Sequence, residues 1–242
     1  QRFIGVGAPT EEVIVTGSLK YDTAFSSHNL EEFPLPPTLV FIGNEELWVA
    51  GGTGPSEEKT ILEVFNHLTQ PGQFENLRLV IVPRKPERFD EVAQTITDAG
   101  WAFLRYSSIK NTNTMYPEKI PIILGDTMGD LRKFYSLATI IFVGRSLVPM
   151  GGSDMIEAAA LGRCTIFGPY TFNFTQTVDA LLESKGAIMV NDKKELLQTM
   201  RKCLSDSDFA QKIAGNGREV IRKNQGATAK TIDQITKLLH PA

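Results

Sequence analysis

Short apolar runs alternate with stretches of helical periodicity along this chain, and this alternation restricts the folds available to it. Leu77–Pro83, Ile140–Val143 and Cys164–Phe167 are largely apolar runs, as expected of parallel strands that helices cover on both faces. Between such runs, apolar residues recur at the spacing of one helix face. The clearest stripe is Ile61, Leu62, Val64, Phe65 and Leu68. The alternation predicts an α/β fold with a doubly wound parallel sheet.

The remaining elements follow from the same patterns. Further strands are predicted at residues 13–17, 38–43, 102–104, 120–124 and 187–190, and further helices at about 87–99, 130–136 and 175–183. Residues 193–239 have a helical pattern, with breaks predicted near Gly215–Gly217 and at Gly226. The polar stretches at 26–37 and 111–114 predict loops.

The composition excludes several classes of protein. With 242 residues, of which 42% are hydrophobic, the chain can bury the core of a large α/β domain. A formal net charge of -3 creates no field that recruits nucleic acid, and no apolar run approaches the roughly 20 residues of a membrane-spanning helix. His28, His67 and His240 lack metal-binding spacing. Because Gln1 is not an initiator residue, we expect the chain to be cut from a longer protein.

One loop has the strongest functional signal. Gly151-Gly152 follows the predicted strand at Ile140–Val143 and precedes a predicted helix that contains Glu157. Two glycines permit a tight turn and a close approach of backbone to ligand. The first turn of a helix offers free N–H groups that suit a phosphate, and the Glu157 carboxylate can accept hydrogen bonds from sugar hydroxyls. The loop is interpreted as half of a nucleotide-sugar site.

Other polar or glycine-rich loops are predicted at the same edge, since ligands of doubly wound sheets bind beyond the carboxyl ends of the strands. They comprise residues 50–58, 82–89, 125–131, 144–150 and 168–174. Most of them, taken alone, have a plainer interpretation: a flexible turn at 50–58, surface charge at Arg84 and Lys85, helix capping at 125–131, or aromatic packing at 168–174. Their joint occurrence in this order is more specific.

Six segments carry that order: Val15–Asp22, Val82–Phe89, Gly125–Leu131, Ser146–Gly152, Glu157–Gly162 and Phe167–Phe174. Together they resemble the 3-deoxy-D-manno-octulosonic acid (Kdo) transferases of lipopolysaccharide assembly. The resemblance covers about residues 2–185 in collinear order. It implies the Rossmann-like C-terminal domain of a GT-B glycosyltransferase, in which CMP-Kdo binds.

The resemblance also assigns regions and residues. Residues 1–24 would be the interdomain crossover segment with a first strand, and residues 25–242 the donor-binding domain. The nucleotide-sugar site would comprise Arg84, Lys85, Asp126, Thr127, Met128, Gly129, Ser146, Gly151, Gly152, Ser153 and Glu157, with Thr53 and Arg145 as further donor contacts. Gly151, Gly152 and Arg84 would hold the phosphate, Glu157 the ribose, and residues 126–129 the cytidine.

Partners and location are implied in the same way. The donor would be CMP-Kdo, from which Kdo is transferred with inversion at its anomeric carbon. The acceptor would be a lipid A precursor bound by an N-terminal domain outside this chain. That domain would supply the catalytic base, so no catalytic residue is expected here, and neither a cofactor nor a metal ion is expected. The full-length protein would contact the membrane on the cytoplasmic side of the bacterial inner membrane. This chain alone is expected to be soluble and inactive, without a nucleic-acid partner.

The chain departs from the family pattern at four places. The family usually has Ser-Thr-His-Glu at Gly52–Pro55, histidine at Lys85, glycine at Arg145, and His-Asn at Ser153-Asp154. Lys85 and Arg145 add positive charge near the expected phosphate. Two other functions stay open: a GT-B transferase or epimerase that uses a UDP-sugar, and a nucleotide-binding module without catalysis.

Overall fold

Seven parallel strands form one sheet in the computed structural model, which describes residues 2–26, 45–110 and 120–240. They are Glu46–Thr53 (β1), Leu77–Pro83 (β2), Phe103–Arg105 (β3), Ile122–Leu124 (β4), Ile140–Val143 (β5), Cys164–Phe167 (β6) and Ile188–Met189 (β7). The order across the sheet is β3-β4-β2-β1-β5-β6-β7, and each neighbouring pair is parallel. The predicted doubly wound sheet is confirmed, while the predicted strand at 38–43 and loop at 111–114 lie outside the described residues.

Helices connect the strands and cover both faces of the sheet. They are Arg2–Gly5 (α1), Leu19–Ser26 (α2), Glu57–Leu68 (α3), Phe89–Asp98 (α4), Tyr106–Ile109 (α5), Leu131–Leu137 (α6), Met155–Ala160 (α7), Thr175–Glu183 (α8), Lys193–Ser205 (α9), Ser207–Lys223 (α10) and Ala227–Leu239 (α11). Single 3₁₀ turns lie at Thr10–Glu12 and Pro86–Arg88.

Strand β1 lies in the middle of the sheet and is buried on both faces. Leu47 and Val49 pack into one hydrophobic layer, while Trp48 and Ala50 pack into the other. Sequence reasoning missed this strand and interpreted residues 50–58 as a glycine-rich loop. The strand continues through Gly51. This position holds glycine because the Tyr135 side chain packs where a Cβ would lie. Glycine is thus required here by a close approach of α6 to the strand, which is an exception to its usual depletion in strands.

The strand predicted at Val13–Gly17 is wrong. Residues 13–17 form neither helix nor strand, and Ile14 and Val15 are 60% and 83% exposed. The described sheet ends at β3 on one edge and β7 on the other, so this segment has no strand partner within the described residues. It lies instead along α11, where Thr231 donates a side-chain hydrogen bond to Thr16 at 2.9 Å.

The segment that follows is tied to distant parts of the chain. The Tyr21 hydroxyl on α2 hydrogen-bonds that of Thr177 on α8 at 2.9 Å. The Asp22 carboxylate accepts hydrogen bonds from the backbone N–H groups of Gly226 and Thr228 and from the Thr228 hydroxyl, each at 2.6 Å. These contacts hold the pKa of Asp22 below its ordinary value, the side-chain bond from Thr228 contributing most. Helix α2 therefore packs between α8 and the start of α11.

The break predicted at Gly215–Gly217 is also wrong, because α10 runs without interruption from Ser207 to Lys223. The break at Gly226 is confirmed, since α11 begins directly after it. Gly217 faces Gly186, where a Cβ on Gly186 would approach the Gly217 Cα to 2.7 Å. The glycine is required by contact between two backbones and does not terminate the helix.

Replacing Gly217 by alanine should destabilise the domain by about 1–3 kcal/mol, because the new methyl group would overlap the Gly186 carbonyl oxygen. Gly215 is the matched control in the same helix, since a Cβ there would meet no atom within 4 Å. Gly215→Ala should stabilise α10 by about 0.5–1 kcal/mol through helix propensity. Urea unfolding of both variants measures the difference, and equal midpoints would contradict the packing argument.

Candidate functional site

The site lies where the strand order reverses. Strand β1 pairs with β2 on one side and β5 on the other, so the chain leaves β1 and β5 toward opposite faces of the sheet. A crevice opens at such a point beyond the carboxyl ends of the two strands, and ligands of open α/β sheets bind there. The loops that border it are residues 53–57 after β1 and residues 144–154 after β5.

A single buried carboxylate joins these two loops. Glu57, 1% exposed, accepts hydrogen bonds at Oε2 from the backbone N–H groups of Gly54 and Arg145, and at Oε1 from those of Ser146 and Leu147. The four distances range from 2.5 to 2.9 Å. Burial raises the pKa of Glu57 above its ordinary value, and the four backbone hydrogen bonds offset part of that rise. Both oxygens are fully used, so Glu57 is a structural bridge across the crevice.

The neighbouring Glu58 fixes the end of β1. It accepts a hydrogen bond from the Thr53 hydroxyl at 2.7 Å and two from the Arg88 guanidinium, at 2.7 and 3.1 Å. Arg88 also donates to Glu91, so its guanidinium pairs with two acids, one on α3 and one on α4. Thr53, predicted as a possible donor contact, is buried and its hydroxyl proton is directed at Glu58.

The loop after β5 is held mainly by its own hydrogen bonds. Gly152 N–H donates to the Arg145 carbonyl at 2.8 Å, and Ser153 N–H donates to the Gly144 carbonyl at 2.9 Å. Gly151 and Gly152 have φ of +86° and +81°, a region that favours glycine. Asn173 and Phe172 from the loop before α8 pack where a Gly151 Cβ would lie. The predicted glycine pair therefore permits both the turn and the close contact with residues 168–174.

Two predicted serines are buried within this loop. The Ser146 hydroxyl donates to the Val143 carbonyl at 2.5 Å and accepts from Gly168 N–H at 2.7 Å. The Ser153 hydroxyl donates to the Gly52 carbonyl at 2.8 Å. In the structure described, both side chains connect neighbouring strand ends.

A cavity of about 230 Å³ opens beside this loop. It is lined by Lys20, Thr23, Ala24, Arg132, Asp154, Ile156 and Glu157. Of the predicted site residues, Glu157 lines it, and the other contributors come from α2, α6 and the start of α7. Two cations and two carboxylates thus face one small volume.

Glu157 is half-buried beside one of these cations. The Arg132 Nη1 atom lies 3.7 Å from Glu157 Oε1, and Arg132 Nη2 donates to the Ala24 carbonyl at 2.8 Å. Burial raises the pKa of Glu157 above its ordinary value, Arg132 lowers it, and the Asp154 carboxylate raises it further. Beneath them, the buried Tyr135 hydroxyl has no hydrogen-bond partner among the described residues. The arrangement keeps an acceptor carboxylate at the cavity, held in place by Arg132.

Asp154 caps α7 and pairs with Lys20 on α2. Its Oδ1 accepts from Ile156 N–H at 2.9 Å, and its Oδ2 lies 3.1 Å from Lys20 Nζ. The Lys20 ammonium also lies 4.8 Å from the centre of the Phe174 ring. The carboxylate at this position is therefore balanced by Lys20.

The predicted cations after β2 and β5 lie elsewhere along the crevice. Arg84 and Lys85 are exposed at the end of β2, with Arg84 N–H donating to the Thr53 carbonyl. Arg145 adopts a left-handed conformation with φ of +58°, at the position where the family usually has glycine. Its Nη2 donates to the Met150 carbonyl at 3.1 Å. Arg145 thus contributes mainly to loop structure, through its backbone N–H on Glu57 and its guanidinium on Met150.

The loop predicted to contact cytidine, residues 126–129, has a buried part and an exposed part. Asp126 is buried and accepts hydrogen bonds from Ser107 N–H and hydroxyl, at 2.8 and 2.7 Å, while the Thr127 hydroxyl donates to Asp130 at 2.7 Å. Met128 and Gly129 are exposed, and Gly129 has φ of +85°. The two polar side chains shape the loop, and its tip at Met128 and Gly129 is exposed.

Neither a metal centre nor a membrane span is found in the part of the chain that the structure describes. Among those residues no group of three or more histidine, cysteine, aspartate or glutamate side chains could hold a metal ion. In the same ranges, no helix combines the length and apolarity needed to cross a bilayer.

Sequence reasoning missed three residues of this site: Glu57, Arg132 and Lys20. Glu57 gave little local signal, because three of its four backbone partners follow about ninety residues later in the chain. Lys20 lies within the quoted segment Val15–Asp22, and that segment was the one available signal for it. Arg132 had no local signal, since its partners are on α2 and α7.

Glu57→Gln should lower the free energy of unfolding by about 2–3 kcal/mol, because an amide NH₂ cannot accept the hydrogen bonds of the backbone donors at one oxygen. Glu63→Gln on the same helix is the matched control. Glu63 is exposed and pairs with Lys193 at 2.7 Å, so its loss should cost less than about 1 kcal/mol. Denaturant unfolding monitored by circular dichroism measures both, and an effect of Glu57→Gln no larger than the control would refute the bridging role.

Sequence comparison identifies proteins that are similar to this chain. No protein-family model matches the chain. It is 33% identical over 240 residues to a 3-deoxy-D-manno-octulosonic acid transferase of Haemophilus influenzae, covering 99% of this chain and 55% of that protein. It is 30% identical over 233 residues to the transferase of the same name from Bordetella pertussis, covering 91% and 50%. The chain thus spans about half the length of these relatives.

The fold comparison agrees. The crystal structure of the C-terminal CMP-Kdo binding domain of WaaA from Acinetobacter baumannii superposes with a TM-score of 0.67 and 25% identity, covering 84% of this chain and 97% of that domain. The predicted Rossmann-like fold of a GT-B C-terminal domain is confirmed. In sequence the chain is similar to 3-deoxy-D-manno-octulosonic acid transferases, and in fold it is similar to a C-terminal CMP-Kdo binding domain.

Proposed function

We propose that this chain is the donor-binding domain of an inverting glycosyltransferase that transfers Kdo from CMP-Kdo to a lipid A precursor in lipopolysaccharide biosynthesis. The observation that carries the proposal is the match to nearly the whole of a domain described as CMP-Kdo binding. The position of Glu157 supports it, since this carboxylate lines a cavity beside the crevice where α/β sheets bind ligands.

The residues of the cavity suit a ribonucleotide with one phosphate. Glu157 would accept hydrogen bonds from the ribose hydroxyls, and Arg132 would keep the carboxylate oriented and ionised. The exposed tip at Met128 and Gly129 would contact the cytidine. Arg84, exposed at the end of β2, adds positive charge for the leaving phosphate.

The chemistry requires little more from this domain. In CMP-Kdo the leaving group is a cytidylate, whose developing negative charge needs stabilisation by cations or hydrogen-bond donors. A base must remove the proton from the acceptor hydroxyl. We propose that this base and the lipid A site belong to an N-terminal domain, that the full-length protein contacts the cytoplasmic side of the bacterial inner membrane, and that transfer needs no metal ion.

Titration calorimetry should detect binding of CMP to this chain, and Glu157→Gln should weaken it by about tenfold or more because the ribose loses charge-assisted hydrogen bonds. Glu183→Gln, an exposed position on α8, is the matched control and should bind as the native chain does. Inorganic phosphate should bind both variants alike.

The same titrations discriminate the alternatives. Binding of UDP in preference to CMP would favour a UDP-sugar enzyme. Absence of CMP binding in the millimolar range by the folded chain would reject the proposed function.

The 242-residue chain alone should bind CMP and show no transfer of Kdo to a lipid A precursor. Holding the acceptor and base against the donor supplies a large part of a transferase's rate, and the chain spans only about half the length of its relatives. A radiolabelled-donor assay with a full-length relative as positive control measures this, and transfer by the chain alone would contradict the assignment of the base. If the full-length parent of this chain bound CMP without turnover, a non-catalytic module would be favoured.

A further inference from the structure

Three backbone N–H groups around the glycine pair have partners within the protein. Gly152 donates to Arg145, Ser153 to Gly144, and Ile156 to the Asp154 side chain. Helix α7, which follows them, has only six residues and a weak dipole. The side-chain cations that line the cavity can neutralise a phosphate that enters it.

Lys20 and Arg132 are the cations that line the cavity. Arg132 is committed to the Ala24 carbonyl and to Glu157, and it is mostly buried. Lys20 differs, because its side chain is 57% exposed and its ammonium pairs with a single carboxylate, that of Asp154. An exposed ion pair of this kind stabilises a protein little, so Lys20 can change partner at small cost.

We propose that Lys20 is a phosphate-binding residue of the donor site, and that Asp154 holds it in position until the nucleotide arrives. This inference rests on the proposed function. On binding, the Lys20 ammonium would exchange the Asp154 carboxylate for a phosphate oxygen of the cytidylate, and the Phe174 ring would keep it over the loop. Asp154 retains its second role, since its Oδ1 still caps α7.

The proposal accounts for two features of the structure. A carboxylate beside a bound phosphate would be unfavourable without a cation between them, and Lys20 lies 3.1 Å from that carboxylate. It also gives helix α2, which borders the cavity, a role in ligand binding. Through Lys20, Thr23 and Ala24, helix α2 forms one wall of the site.

Calorimetry on the 242-residue chain tests the exchange with CMP, and a nuclear magnetic resonance titration in the millimolar range tests it with cytidine, which lacks the phosphate. Lys20→Met should weaken CMP binding by about tenfold while cytidine binding stays unchanged, because the charge acts only on the phosphate. Lys230→Met on α11 removes the same charge from an exposed position and should bind both ligands as the native chain does. Asp154→Asn keeps a capping side chain and removes the competing charge, so CMP should bind several-fold more tightly.

The outcomes separate the inference from the proposed function. Equal CMP affinity in Lys20→Met and the native chain would overturn the role of Lys20 while leaving the CMP site standing. An equal loss of CMP and cytidine binding in Lys20→Met would assign Lys20 a structural role and overturn the inference. Weaker CMP binding in Asp154→Asn would overturn the exchange. Failure of the native chain to bind CMP would overturn both proposals.

Discussion

The geometry of the crevice depends on one buried carboxylate. Glu57 lies between the loop after β1 and the loop after β5, and four backbone N–H groups converge on its two oxygens. A carboxylate placed there without donors would be very unfavourable, and the donors without the carboxylate would be unsatisfied. Each therefore requires the other, and the left-handed backbone of Arg145 is tolerated because its N–H is one of the four donors.

The cavity beside this bridge is built from parts of the chain with different roles. The doubly wound sheet provides α6 and α7, which bring Arg132 against Glu157, while α2 provides Lys20 against Asp154. The sheet sets the position of the carboxylates, and the cations reach them from two separate elements. In the proposed nucleotide site, the loop after β5 would position the ligand and the side-chain charges would recognise it.

The sequence was sufficient for the doubly wound sheet, because its alternation of strands and helices depends on local patterns of apolar runs and helix stripes. It was insufficient for Glu57, whose partners are distant in the chain, and for β1, where Gly51 is accommodated by Tyr135 on another element. The error at Gly217 has the same origin, since its need for glycine comes from Gly186. Contacts between residues far apart in the chain leave no periodic signal in the sequence, so these positions could not be predicted from it.

The hydrogen bonds from Gly226 and Thr228 to Asp22 link α2 to the start of α11, and this link has a mechanical consequence. Asp22 accepts three hydrogen bonds from the first turn of α11 and the glycine before it, although these residues follow it by more than 200 positions. A rotation of α2 that keeps these bonds must carry the start of α11 with it. Lys20 lies on the same helix, so the cation at the cavity, α2 and the start of α11 would move together. Force applied near either end of the chain would reach the same wall of the cavity.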